Sequence, residues 1–293
     1  MTSNLSVLQN FREEQLQTSP FPYLLIENAL PQRIFEELAT TFPSEEFIFE
    51  NHRGKKEGET YRANTRYDLP ACYVRDHPKL DLGLWRDFSE YHTSQEFLDE
   101  FLDKLGDVIV KTHPDIIGKM QRKSPIGKPR AGVRFWSDKQ EESEIALDCQ
   151  IAINSPPTKP STSVRTAHLD NPVELYAGLL YLRDPADQSK GGDLEICTWK
   201  TPNRKKIGPR RIIAKEDVII KDHVTYGANK LALFINSIES IHGVTNRDVS
   251  DKPRRLANII GEVYPTQKRL YSDRRYREDR SVFSGLKRKL LGS

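Results

Sequence analysis

Three side chains able to hold a metal ion stand out in this chain. His168 and Asp170 sit in the run His168-Leu169-Asp170, and His242 sits far downstream in Asn236-Ser237-Ile238-Glu239-Ser240-Ile241-His242-Gly243-Val244. Side chains alternate faces along an extended strand, so a histidine and a carboxylate two residues apart point the same way and can grip one ion from one side. A second histidine, brought in from a distant strand, completes three ligands. Two imidazoles and a carboxylate on one face of a metal leave the opposite positions open, and open positions are where chemistry takes place.

A His-x-Asp alone recurs by chance in unrelated chains, so its weight comes from its surroundings. The pair ends the extended stretch Ser163-Val164-Arg165-Thr166-Ala167 and opens a turn at Asn171-Pro172. An apolar strand, Gly178-Leu179-Leu180-Tyr181-Leu182, follows; then come Gly191-Gly192-Asp193-Leu194-Glu195-Ile196, a polar excursion rich in Lys and Arg, and a strand running toward His242. Gly191-Gly192 reads as a turn that starts a strand, with Asp193 as its cap rather than a ligand. The other five histidines (His52, His77, His92, His113, His223) read as surface or satisfied core residues.

The elements that must position these ligands fall into three stretches of one expected domain: a mainly helical part over 1–125, a strand-rich core over 126–265, and a basic tail over 266–293. Phe21 to Ile26 reads as a strand and Pro31 to Leu38 as a helix with proline in its first turn. Asn51 to Thr65 is polar enough to be an exposed loop. Two amphipathic helices follow, one ending near Tyr91 and one from Ser94 to about Lys111, where Phe97, Leu98, Phe101, Leu102 and Leu105 recur at helical spacing. Beyond Pro125 the expected strands are Gly132 to Trp136, Ile145 to Ile153, Tyr176 to Leu182, Leu194 to Trp199, Arg211 to Ile213, Val218 to Ile220, Leu231 to Ile235 and Leu256 to Tyr264. Closely spaced strands behind a helical opening give an α+β class, with a double-stranded β-helix (jelly roll) core and the helices packed on one outer face.

Composition sets further bounds. The formal net charge is only +3, so bulk electrostatics do not make the chain a nucleic-acid binder. Nine Lys or Arg against three acids between Lys268 and Lys289 read as a solvated surface. Cys72, Cys149 and Cys197 form neither a Cys-x-x-Cys pair nor a disulfide framework, which fits a reducing cytoplasm. No stretch approaches a membrane span, and a membrane partner is not expected.

Taken together, His168-Leu169-Asp170, Leu180-Tyr181-Leu182, Gly191-Gly192-Asp193-Leu194 and Asn236 through Val244, with Arg254-Arg255 beyond, resemble the 2-oxoglutarate- and Fe(II)-dependent oxygenase superfamily, in its prolyl-hydroxylase-like branch. The likeness covers roughly Ile145 to Tyr264, with a looser family-like opening at Phe21 to Pro43. It implies that His168, Asp170 and His242 hold Fe(II), that Tyr181 contacts the cosubstrate, and that a basic residue after His242 binds the distal carboxylate of 2-oxoglutarate. It further implies that dioxygen and 2-oxoglutarate are consumed, and that succinate and carbon dioxide form as a substrate C–H bond is hydroxylated. Halogenating relatives lack the carboxylate that Asp170 supplies, which disfavours halogenation.

A dicarboxylate in a partly dry barrel calls for a cation able to make a bidentate contact, which favours Arg over Lys and leaves Arg254 and Arg255 as candidates. If Arg255 faces inward, Ala257, Ile259, Gly261 and Val263 share its face; the other register turns Arg254, Leu256, Asn258, Ile260 and Glu262 inward and buries an acid, so alternation favours Arg255. Arg134, Trp136, Gln150, Asn154 and Arg165 border the expected mouth, and Arg66 follows a loop able to act as a lid. These residues suit a hydrophilic or anionic small metabolite or biosynthetic intermediate. The competing readings are hydroxylation of a protein or peptide side chain, a non-catalytic jelly-roll carbohydrate-binding module, and a zinc hydrolase on the same ligands. A homodimer is compatible with the sequence.

Overall fold

A computed structural model of the protein describes residues 2–76, 83–116, 128–135, 143–159, 163, 165–202, 207–264 and 269–272. Among them are five helices: α1 (Gln32–Thr40), α2 (Glu45–Asn51), α3 (Ala71–Asp76), α4 (Leu84–His92) and α5 (Gln95–Thr112). The strands are β1 (Leu16–Gln17), β2 (Tyr23–Glu27), β3 (Arg66–Leu69), β4 (Ala131–Val133), β5 (Ile145–Asn154), β6 (Glu174–Leu182), β7 (Leu194–Trp199), β8 (Val218–Val224), β9 (Ala228–Ile235), β10 (His242–Val244) and β11 (Arg254–Val263). An eight-stranded sheet runs β1-β2-β9-β6-β11-β5-β3, with β4 added on β5, and a three-stranded sheet runs β10-β7-β8. All pairings are antiparallel except β4 with β5.

The large sheet is covered on both faces, and its period-two alternation separates two environments. Leu147, Cys149, Ile151 and Ile153 of β5, with Ala257 and Ile259 of β11 and Leu231 and Leu233 of β9, face the helices and join Trp85, Phe88, Phe97 and Phe101 in one apolar cluster. Ala152, Ala177, Tyr181, Ala232, Phe234 and Leu256 turn the other way and meet Leu194 and Ile196 of the small sheet. Phe101 of α5 stacks on Tyr176 of β6 with ring centroids 4.0 Å apart. Directly across the ladder, a Cβ on Gly261 would stand 2.3 Å from the Tyr176 ring, so glycine leaves the space that ring occupies. The helix starts follow from the sequence: Ser94 caps α5 by accepting from the Phe97 amide at 3.2 Å.

The strands from Ile145, Tyr176, Leu194, Val218, Leu231 and Leu256, both amphipathic helices and the helical layer on one face lie where the pattern places them. Three differences have physical causes. In place of the strand expected from Arg211 to Ile213, Arg211 ends a 3-10 turn over 209–211, with Arg210 and Arg211 at positive φ, and Ile212 makes an isolated bridge to His168. The strand expected from Gly132 to Trp136 ends at Val133, followed by a turn at Arg134 and Phe135, while Trp136 lies outside the described residues. The short pieces α2, α3 and β3 have too few residues for periodicity to reveal. Most of the basic tail also lies outside the described residues; of it, Leu270 donates its amide to the Pro172 carbonyl at 2.7 Å. Among the described residues no helix is long and apolar enough to cross a membrane.

Candidate metal centre and cavity

His168 and His242 approach as a two-residue antiparallel bridge, each amide donating to the other's carbonyl, at 2.9 and 3.1 Å. This backbone pairing sets the imidazoles side by side with centroids 4.2 Å apart. Asp170 completes the group: its carboxylate oxygens lie 3.6 Å from His168 Nε2 and 3.5 Å from His242 Nε2. One ligand atom from each of the three falls within 4.8 Å of the others, and all three residues are buried.

Each ring is held from behind. Nδ1 of His168 faces the Thr166 carbonyl at 2.7 Å and Nδ1 of His242 faces the Ser240 carbonyl at 3.0 Å. A carbonyl can only accept, so Nδ1 carries the proton in both rings and each Nε2 keeps its lone pair toward Asp170. Burial, reinforced by the neighbouring His242, lowers the pKa of His168 to about 3, and burial also lowers that of His242. Both are therefore neutral, the form that ligates metal. Burial alone would raise the Asp170 pKa, but the electrostatics of the neighbouring His242, His168 and Arg165 outweigh it and hold the carboxyl low. The Tyr271 hydroxyl donates to the Asp170 carbonyl, so the residues after the last strand brace this loop.

The three groups line a cavity of about 240 Å³ between the two sheets. Its wall on the large sheet includes Gln150, Asn154, Glu174, Leu179, Phe234, Asn258 and Ile260; the small sheet adds Leu194 and Val244. Of the residues expected near the mouth, Arg66, Arg134, Gln150, Asn154 and Arg165 all line it. Arg211, Glu174 and Asn258 are lining residues that the sequence reading did not pick as contacts. Arg211 hid in an expected strand, whereas Asn258 was legible as a member of the Arg254 face.

The arginine favoured by alternation is not the one that faces this cavity. Arg255 turns toward the helical side, with its guanidinium 3.1 Å from Asp184 and over the Phe42 ring. Arg254 is buried and faces the cavity. Ala257, Ile259 and Val263 do share the Arg255 face, but that face packs on the helices. The acid on the opposite face is accommodated because Glu262 pairs with Arg134 at 2.6 Å.

Arg254 is set by the Gly191-Gly192 turn. Its Nε donates to the Gly192 carbonyl at 2.7 Å, and its guanidinium stands over the rings of Tyr181 and Tyr226. Both glycines have positive φ, and a Cβ on Gly191 would fall 1.8 Å from the Asn246 carbonyl oxygen. Asp193 accepts from the Tyr226 amide at 2.8 Å, a capping role. Tyr226, which the sequence did not flag, fixes the start of β11 by accepting the Arg255 amide at 2.9 Å. Arg254 Nη2 and Tyr181 Oη are buried with no hydrogen-bond partner among the described residues. An unmatched cationic donor beside an unmatched hydroxyl fits a carboxylate.

No protein-family model matches this chain, and no curated protein does. Among solved structures it is similar to a prolyl 4-hydroxylase from Phytophthora capsici (14% identity, 92% of this chain and 68% of that one, TM-score 0.42). It is also similar to a Pseudomonas putida prolyl-4-hydroxylase (15% identity, 90% and 98%, TM-score 0.38). A third is a Trichoplax adhaerens prolyl hydroxylase in complex with a hypoxia inducible factor peptide fragment (14% identity, 90% and 90%, TM-score 0.39). At such scores likeness decides neither fold nor chemistry; the site's own residues must.

Proposed function

We propose that this protein is an Fe(II)- and 2-oxoglutarate-dependent dioxygenase that hydroxylates a C–H bond of a small polar molecule, and that its two sheets are the halves of a double-stranded β-helix in one catalytic domain. The observation that carries the reading is the convergence of His168, Asp170 and His242 on one wall of a cavity that Arg254 also lines, its guanidinium standing over the buried Tyr181 ring, with Arg254 Nη2 and Tyr181 Oη both without a hydrogen-bond partner among the described residues. When bound, iron would allow dioxygen to serve as the oxidant, with two electrons drawn from 2-oxoglutarate, which leaves as succinate and carbon dioxide, and two from the substrate C–H bond that is hydroxylated. His168 and His242 contribute neutral nitrogens already aimed by their Nδ1 hydrogen bonds, and Asp170 adds a carboxylate that stays ionised at neutral pH. Arg254 and Tyr181 take the distal carboxylate, while Phe234, packed 4.4 Å from the His242 ring, limits water at the ligands. A zinc hydrolase could use the three ligands but leaves Arg254 unexplained. A carbohydrate module needs neither.

Anaerobic titration of the protein with Fe(II) and then 2-oxoglutarate tests this. A weak visible charge-transfer band is expected on addition of the keto acid, and His168→Ala should abolish it. An iron-loaded wild type that shows no band would remove the oxygenase reading.

A further inference from the structure

The cavity wall is polarised in a way that metal and cosubstrate leave unexplained. Arg66, Arg165 and Arg211 reach it from three separate segments: the start of β3, the approach to His168 and the turn before Ile212. All three line the same cavity of about 240 Å³. Their counter-charges are thin. Arg165 has Asp170 at 3.5 Å, an acid committed to the metal ligand set, and Arg66 has Asp68 at 3.6 Å. Glu174 also lines the wall, a single further acid against the three arginines that reach it. Arg211 spends its Nε on the Leu169 carbonyl at 3.3 Å. Like charges gathered without matching acids repel, and an anion between them removes that cost.

Deeper in, a hydrogen-bond relay fixes the opposite polarity. Asp148 Oδ2 accepts from Gln150 Nε2 at 2.9 Å, which turns Gln150 Oε1 outward to accept from Arg66 Nη2 at 3.1 Å and from Asn258 Nδ2 at 3.2 Å. Burial raises the Asp148 pKa only to about 6, so the carboxylate is ionised at neutral pH and can only accept; the orientation of both amides follows from it. Asn258 Oδ1 is left as a buried acceptor with no partner among the described residues, and so is Asn154 Oδ1. Both side chains line the cavity. A buried acceptor without a donor is costly, so a ligand donor is what these two require.

Resting on the oxygenase reading above, we propose that the substrate is a small organic acid, a carboxylate or phosphate held by Arg66, Arg165 and Arg211, with a hydroxyl or amine that donates to Asn154 and Asn258. Neutral sugars satisfy the asparagines but not the arginines; simple apolar acids do the reverse.

The test is calorimetry on the Fe(II) and 2-oxoglutarate complex under anaerobic conditions, with glycerol phosphate, 3-hydroxybutyrate, inorganic phosphate and glycerol as probes. At least one of the two hydroxylated acids should bind, phosphate should bind more weakly than its glycerol ester, and glycerol should not bind measurably. Arg66→Gln and Arg211→Gln should each weaken acid binding by about tenfold, the scale of one lost charge-assisted hydrogen bond. Asn258→Ala should erase the advantage of glycerol phosphate over phosphate. Binding by glycerol as tight as by the acids, or acid binding indifferent to both arginine substitutions, would overturn the proposal. The charge-transfer band separates the two readings: a band with no acid binding strikes the substrate class alone, whereas arginine-dependent acid binding without a band strikes the oxygenase reading and leaves the anion site standing. Which acid binds distinguishes carboxylate from phosphate.

Discussion

Arg254 and Arg255 are adjacent and chemically identical, yet strand alternation sends them to opposite faces of a sheet. Arg254 stands among tyrosine rings with an unmatched Nη2, while Arg255 reaches Asp184. Arg254→Gln should therefore raise the dissociation constant of 2-oxoglutarate by about 10- to 100-fold, from the ~1.5–3 kcal/mol of a hydrogen bond to a charged group. Arg255→Gln should leave it within about twofold. Titration of the charge-transfer band against 2-oxoglutarate reads both, and equal effects would contradict the assignment. The adjacent pair was legible as a pair from sequence; its orientation was not, because a buried Glu262 counted against the correct register until Arg134 was seen to neutralise it.

At the scale of elements, the Gly191-Gly192 turn acts at a distance on the anchor. It presents the Gly192 carbonyl to Arg254 Nε, and Gly191 has no room for a side chain against Asn246. Gly191→Ala should weaken 2-oxoglutarate binding severalfold while iron binding by His168, Asp170 and His242 is kept, because strained positive φ and a backbone clash move the turn rather than the ligands. Iron affinity falling in parallel would show that the turn supports the whole site instead. Periodicity found the long strands because a five- to ten-residue alternation is hard to produce otherwise. It misread the strand expected from Arg211 to Ile213, where positive φ at Arg210 and Arg211 carries the turn begun at Gly208-Pro209 into residues that read as extended.

For the molecule as a whole, the helical layer carries a titratable group that the site does not use. His92 is fully buried, donates from Nδ1 to the Phe88 carbonyl at 2.8 Å and accepts the Val7 amide on Nε2 at 3.3 Å. Burial lowers its pKa to about 3, against the hydrogen bond to Phe88. The unfolded chain, with an ordinary value near 6.5, takes up a proton that the fold resists, so the His92 contribution is fully present above pH 6.5 and is lost as pH falls toward 3. Denaturant unfolding at a series of pH values should show wild type losing stability relative to His92→Gln by up to about 1.4 kcal/mol per pH unit across that window. Parallel curves would mean that His92 is not buried neutral.

Local information was enough to single out His168, Asp170 and His242 and to find the long strands, the two amphipathic helices and the polar character of Arg66, Arg134, Gln150, Asn154 and Arg165, since each rests on residue type and short-range spacing. Tertiary structure alone decided which face of β11 meets the cavity, that Arg211 and Asn258 join it, and that Asp148 orients the amides of Gln150 and Asn258. Those outcomes depend on which layer covers each face of the large sheet and on partners far apart in the chain, and no pattern within a single strand records either.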